Sequence, residues 1–464
     1  MTMPDHTAAD DEYTLSDLDM VSPDTLVTSF LVYELRPNHN FQVIAESLQH
    51  GLNQAAKQLP PLAAKIHFDS SGKPLKRLTR GSSKLQVRMF ELGEHKSYDH
   101  LAERSFSPYD FDRLRLLPKE AYDDINERPV FLAQLNLIPG GLILALGFNH
   151  IATDGGGRNL ATTLICKCSK AHMEASPMPL FSFDYQRDPF AAPPELLALP
   201  KEQLITRIRD YQIIETATTT KGTAAPQKNG VVNMNKGLVY RIEGSAVQRL
   251  KDSCKPLNGV KYVSTYDCVV GMLWKSVLRI RAELKPHLKT SESRLLNPVD
   301  LRNRPGQGVS KTYFGNAVSV ASAGPVQMAD LLGPDGLSFA ASSIRQSIEN
   351  TTLASIANVT ALGTMMAPTE KLVFRPSGGL LEENLMFTTW YFNNTAAYDF
   401  GVGPPSTVRC WAAPIPGFAI LFPDCKRQQN SRVYDLYVTL PEAEQDMLSK
   451  GEDVRTWFQI LQES

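Results

Sequence analysis

Long apolar runs are missing from this 464-residue chain. No stretch reaches the roughly 18 to 20 residues that a membrane-spanning helix needs, so none is expected. An excess of one charge is missing too. Its 48 Lys and Arg stand against 49 Asp and Glu, with no basic run, which argues against nucleic acid or an anionic membrane as partner. Cysteine is sparse: Cys166, Cys168, Cys254, Cys268, Cys410 and Cys425 form no C-x-x-C pair, and no histidine cluster accompanies them. Reduced, buried thiols are expected rather than a disulfide framework or a metal site. The opening MTMPDHTAADDEYTLSDLDM is polar and acidic and has no basic stretch followed by an apolar one. Neither a signal peptide nor a transit peptide is therefore expected, and the expected compartment is the cytoplasm. P-loops, G-x-G-x-x-G turns and short tandem repeats are absent as well.

What is present is an ordinary globular composition, 42% hydrophobic and 21% charged, in a chain too long for one comfortable core. Two domains are the expectation. LVTSFLVYEL reads as a strand, and FQVIAESLQHGLNQAAKQL has helical spacing through Val43, Ile44, Leu48, Leu52, Ala55 and Leu59. KLQVRMFEL and VFLAQLNLI read as further strands, and KEQLITRIRDYQIIE as a helix with Leu204, Ile205, Ile208 and Tyr211 on one face. The composition changes at TATTTKGTAAPQKNG, residues 216–230, which lacks apolar periodicity and has the character of a linker. Residues 1–215 would form the first domain and residues 231–464 the second. In the second half, STYDCVVGMLWKSVLRIRAEL predicts a helix capped by Ser264 or Thr265. RLLNPVDL, NAVSVASA, ENLMFTTWYF, GFAILFP and RVYDLYVTL predict strands. Strands and helices mix without strict alternation, so the fold class is α+β rather than a doubly wound sheet.

The stretch LILALGFNHIATDGGGRNL, residues 142–160, carries the most chemistry. Alternation puts Leu142, Leu144, Leu146, Phe148 and His150 on one face of a strand whose other face is also apolar. His150 thus emerges at the end of a rigid central strand, a good mount for a general base. A satisfied core histidine beside a plain turn is the competing reading. Asp154 could cap the following helix or pair with a cation, and Gly155, Gly156 and Gly157 would permit a close backbone approach.

Companion motifs in a fixed order favour the chemical reading. His150, Asp154 and Gly155 form H-x-x-x-D-G; STYDCVVGMLWK, VDLRNR (Asp300, Arg302), YFGN (Tyr313 to Asn316), TTW (Thr388 to Trp390) and DFGVG (Asp399 to Gly403) follow. With LSDLD and LPPLAAKI near the start, the chain resembles the BAHD acyl-CoA-dependent acyltransferases over nearly its whole length. The resemblance is greatest to the fungal branch containing trichothecene O-acetyltransferases. Val402 stands where plant members carry Trp, and this bears on the branch.

The resemblance implies two similar mixed-sheet domains of chloramphenicol-acetyltransferase-like type with the reaction in a tunnel between them. It implies acyl-CoA, with acetyl-CoA favoured, as co-substrate, a small-molecule alcohol as acceptor, a monomer, and no permanently bound cofactor or metal. His150 would be the base, with the Thr388 hydroxyl and the Trp390 indole N–H as oxyanion donors. Asp154 would be structural, paired with Arg302; Asp399, Gly401 and Gly403 would hold a loop near the CoA tunnel. Asn316 would either line the tunnel or be a turn residue. Two alternatives remain: a condensation-like enzyme using a carrier-bound donor or an amine acceptor, and an inactive binding relative. Condensation enzymes usually carry two adjacent histidines, where this chain has Asn149-His150.

Overall fold

The computed structural model describes residues 12–461 except 71, 82–84, 91–94, 120–126, 209, 216–234, 303, 368, 375–378, 391–393, 412–414 and 423–432. The expected linker at 216–230 and Cys425 lie outside the described residues. Two mixed sheets dominate. The first has five strands in the order Thr407–Arg409, Leu26–Glu34, Gly141–Asn149, Phe131–Ile138 and Leu85–Met89. The second has seven: Val318–Gln327, Glu292–Asp300, Asn384–Thr389, Phe418–Phe422, Val433–Pro441, Asn235–Glu243 and Gln459–Ile460.

Alternation along Gly141–Asn149 divides the first sheet's core. Leu142, Leu144, Leu146 and Phe148 pack with Leu48, Leu52, Leu164 and Ile165 of the helices Phe41–Gln58 and Gly155–Met173. Ile143 and Ala145, on the opposite face, meet Phe30, Leu101, Phe106 and Phe111. In the second sheet, Leu385, Phe387, Leu436 and Val438 cover the helix Thr265–Leu284 and its fully buried Trp274. The other face turns toward the first half, where Val239, Trp390, Ile420, Phe422 and Tyr437 belong to the same apolar cluster as Leu144 and Phe148. One hydrophobic seam therefore joins the two sheets.

The halves also exchange backbone. The strand Thr407–Arg409 pairs antiparallel with Leu26–Glu34, setting Thr407 opposite Val32 and Arg409 opposite Phe30. Arg409 then reaches back to its own half through Asp435, at 2.8 Å. The second half of the chain thus supplies an edge strand to the first sheet.

Local differences from the sequence reading have physical causes. The helix Lys201–Arg207 stops before Tyr211, and Tyr211–Glu215 is instead a strand paired with Glu370–Phe374. The β-branched Ile213 and Ile214 suit that partner, which lies far away in sequence. Val43 falls off the buried stripe of its helix and is 45% exposed. The helix Leu353–Thr364 is additional. No helix among the described residues is long and apolar enough to cross a membrane. The five described cysteines are buried free thiols.

Candidate active site

The strand Gly141–Asn149 is buried along its whole length and paired on both edges, so its direction is fixed. At its end Asn149 Oδ1 accepts from the Ile151 N–H at 3.1 Å, and the turn carries His150. The His150 N–H donates to the Thr25 carbonyl at 2.8 Å. From the second half of the chain, Asn316 Nδ2 donates to the His150 and Ile151 carbonyls at 2.8 and 3.0 Å. The backbone carrying the imidazole is clamped from two sides.

His150 is half-buried, and its Nδ1 is sealed from solvent without a hydrogen-bond partner. Burial therefore holds the imidazole pKa below its ordinary value. The Arg158 guanidinium pushes the same way, while the histidine's own carbonyl and Asp154 oppose. A neutral ring at pH 7 results.

Asp154 combines both roles open to it in the sequence. As N-cap of the helix Gly155–Met173, its Oδ1 accepts from the Gly157 N–H at 3.0 Å. The same carboxylate receives Arg302 Nη1 on Oδ2 at 2.9 Å and Nη2 on Oδ1 at 2.8 Å. The Ala317 N–H adds a fourth bond at 2.7 Å. Arg302 uses its remaining N–H groups on the Tyr313 carbonyl, the Asp300 carboxylate and the Gly315 carbonyl, at 2.9, 3.0 and 2.8 Å. Burial alone would raise the Asp154 pKa, but Arg302 and the two backbone donors outweigh it and hold the carboxyl below its ordinary range. All five donors and both carboxylate oxygens are satisfied, the condition under which a buried pair is tolerated.

The glycine requirement falls beside Gly155 rather than on it. A Cβ on Gly156 would stand 2.7 Å from Arg302 Nη1, and one on Gly157 2.0 Å from Thr153 Oγ1. At Gly155 a Cβ would meet only Arg158 Nη2, at 3.7 Å.

Thr388 and Trp390 share the face of their strand opposite to Leu385 and Phe387, the face turned to the seam. Trp390 is anchored by its backbone N–H on the Leu421 carbonyl at 2.8 Å. Among the described residues neither the Thr388 hydroxyl nor the indole N–H has a hydrogen-bond partner. The Arg158 guanidinium lies over the Trp390 ring, 4.6 Å from its centroid. One cation thus touches the indole and acts electrostatically on His150.

Asp399 belongs to a different place. Its Oδ1 accepts from the Gly401 and Gly403 N–H groups at 2.8 and 2.9 Å, and its Oδ2 from Lys170 Nζ at 2.6 Å. Lys170 sits near the far end of the helix that Asp154 starts, on the order of 20 Å along its axis at 1.5 Å per residue. Gly401 and Gly403 have φ of +115° and +97°, conformations a side chain resists. DFGVG is a loop clasp distant from the imidazole.

Asp19 was not singled out by sequence reading. It closes the capping box of the short helix Asp17–Met20, and its Oδ1 accepts from the Asn316 N–H and Nδ2 at 3.0 and 2.8 Å. Arg187 lies 3.5 Å from its other oxygen. The chain Asp19–Asn316–His150 carbonyl thus crosses from one half to the other and back. The acidic S-x-x-D spacing in LSDLD was the available signal. Among the described residues no group of three His, Cys, Asp or Glu side chains could hold a metal ion.

A model described as the transferase family matches residues 1–453. An acyltransferase of a Phoma species is 25% identical, covering 87% of this chain and 86% of that protein. A trichothecene 3-O-acetyltransferase of Saccharomyces cerevisiae is 26% identical over 79% of this chain and 78% of its own length. The solved structure of F. graminearum TRI101 complexed with coenzyme A and T-2 mycotoxin covers 97% of this chain and 100% of its own. It superposes with a TM-score of 0.75 at 18% identity, a likeness of fold.

Proposed function

The chain belongs to the transferase family, the BAHD acyltransferases, and from that premise we propose that it transfers an acyl group from a coenzyme A thioester to a hydroxyl of a small specialised metabolite, with His150 as general base. What supports this reading is an imidazole kept neutral by burial, its backbone clamped through Asn316 from the second half of the chain, and the Trp390 side chain in the apolar cluster that joins the halves. Residues 1–215 and 231–464 would form the two walls of the reaction centre, with donor and acceptor meeting between them.

His150 Nε2 removes the acceptor's hydroxyl proton as its oxygen adds to the thioester carbonyl. Thr388 and Trp390 donate to the oxyanion of the tetrahedral intermediate. The C–S bond then breaks, the ester carbonyl re-forms, and the coenzyme A thiolate recovers the proton from the imidazolium. Loss of one preorganised oxyanion donor typically costs ~3 kcal/mol of barrier. Asp154 and Arg302 stand behind the base as scaffold, and Asp399 with its glycines holds a remote loop. Acetyl is the favoured acyl group, given the acetyltransferase among the relatives. The reading includes a cytoplasmic monomer with no resident cofactor or metal.

Purified protein incubated with acetyl-CoA and an alcohol panel tests it. Mass spectrometry of esters is the readout. Ester formation that His150→Ala abolishes while acetyl-CoA still binds is expected. Substantial turnover by His150→Ala would remove the base from the mechanism.

A further inference from the structure

Four arginines are buried among the described residues: Arg158, Arg281, Arg302 and Arg409. Three have a carboxylate partner, in Glu444, Asp154 and Asp435 respectively, each at 2.8 Å. Arg158 has none. It is 6% exposed, and the one hydrogen bond of its guanidinium to a described residue runs from Nη1 to Ser29 Oγ at 3.3 Å. Its guanidinium carbon lies over Trp390, 4.6 Å from the ring centroid. Four of its five side-chain N–H groups therefore have no acceptor among the described residues.

A buried guanidinium in that state is unfavourable on its own. Stacking on an indole satisfies its face, but the edge keeps the fork of donors that matches a planar, two-oxygen anion. Its contact with Trp390, a proposed oxyanion donor, sets the guanidinium beside the proposed reaction centre. The phosphates of coenzyme A are a pantetheine arm away from the thioester carbonyl, so they are not the anion in reach.

We propose that Arg158 is a carboxylate-binding residue, and that one of the two substrates carries a carboxylate next to the reacting groups. The carboxylate belongs either to the acyl group, as in a dicarboxylic monothioester, or to the acceptor, as in a hydroxy acid. With it in place the orphan donors are paired bidentately and the positive charge beside His150 is neutralised, which raises the imidazole's basicity as the complex forms. This rests on the acyl-transfer reading for which substrates enter the site, not for the anion preference itself.

Calorimetric binding to the full-length protein tests it in two arms. One compares malonyl-CoA with acetyl-CoA; the other compares 3-hydroxybutyrate with its methyl ester in the presence of coenzyme A. In one arm the charged member is expected to bind at least tenfold more tightly, and in Arg158→Met that preference falls to twofold or less. Arg158→Lys, which keeps the charge without the fork, retains part of it. Removing an unpaired charge leaves Arg158→Met melting at or above the wild-type temperature, so misfolding does not cloud the comparison. Absence of any preference in both arms, or a preference that survives in Arg158→Met, overturns the proposal. A charge preference without product would count against acyl transfer alone; product without a preference would count against this inference alone.

Discussion

Removing the Asp154 carboxylate separates a scaffold from a participant in the reaction. In Asp154→Ala, Arg302 loses two of its charged hydrogen bonds, and the Gly157 and Ala317 N–H groups lose their acceptor. Breaking one side of a buried ion pair costs about 3–5 kcal/mol, and losing an N-cap about 1 kcal/mol. Arg302 keeps the Asp300 carboxylate and two carbonyls, which places the expected loss near the lower end, about 4 kcal/mol in all. Asp154→Asn keeps the cap but loses the charge, and should fall between, at about 2–3 kcal/mol. Adding Arg302→Met to Asp154→Ala removes the stranded cation, so the double variant should recover ~1–2 kcal/mol relative to additivity. The assay is urea unfolding, following the midpoint and slope of the transition that carries the first sheet, alongside soluble yield and ester formation. Because folding depresses the Asp154 pKa, the pair's contribution is complete above the ordinary carboxylate range and lost as pH falls through the folded value. The wild type should therefore lose stability over an acid interval in which Asp154→Asn changes little. An Asp154→Ala protein that unfolds within ~1 kcal/mol of wild type and makes no ester would refute the scaffold argument and put the carboxylate in the chemistry.

Three further predictions concern the base, the donors and the distant loop. The imidazole pKa of His150 is lowered, so the acid limb of kcat/KM should bend below 6.5; a limb centred above that value sinks the assignment of a buried base. Thr388→Val, which removes a hydroxyl without partners among the described residues, should lower kcat roughly a hundredfold with an unchanged melting temperature; wild-type kcat would eliminate it as a donor. Gly401→Ala places a Cβ where Met173 Sδ is 2.3 Å away, at a φ of +115°. It should cost about 2–3 kcal/mol and leave the pH profile of any residual activity unshifted, and a shifted profile would tie DFGVG to the reaction.

Much of the architecture was legible from local pattern. Alternation in LILALGFN and FAILFP and the 3.6-residue spacing of STYDCVVGMLWKSVLRI each describe an element that needs only its own residues to be recognised. The element at Tyr211–Glu215 was misread because its strand state depends on Glu370–Phe374, a partner that no short window contains. The three-residue strand Thr407–Arg409 was missed for the same reason. At the candidate site, a strand-end histidine and an aspartate before glycines stood out by their chemistry, while Thr388 and Trp390 were named through the family resemblance alone. What did not stand out was the wiring. Asn316 read as either a tunnel-lining or a turn residue, and its bond to the His150 carbonyl was not foreseen; Asp19 looked like part of an opening motif, yet it holds Asn316. Those bonds join residues far apart along the chain, and only the fold brings them together. Arg158 was one basic residue among 48 until its surroundings showed it buried without a carboxylate.

The strand Thr407–Arg409 also decides the order of events during synthesis. A ribosome releases Leu26–Glu34 early, but the segment that covers its outer edge emerges only after most of the polypeptide has been made. Until then the backbone of Phe30, Leu31 and Val32 offers a bare rim to any passing strand, the situation that invites aggregation or swapping between copies. A fragment ending at residue 215 would keep that rim permanently. Once the late segment is in place, the two halves are stitched by main chain as well as by side chains.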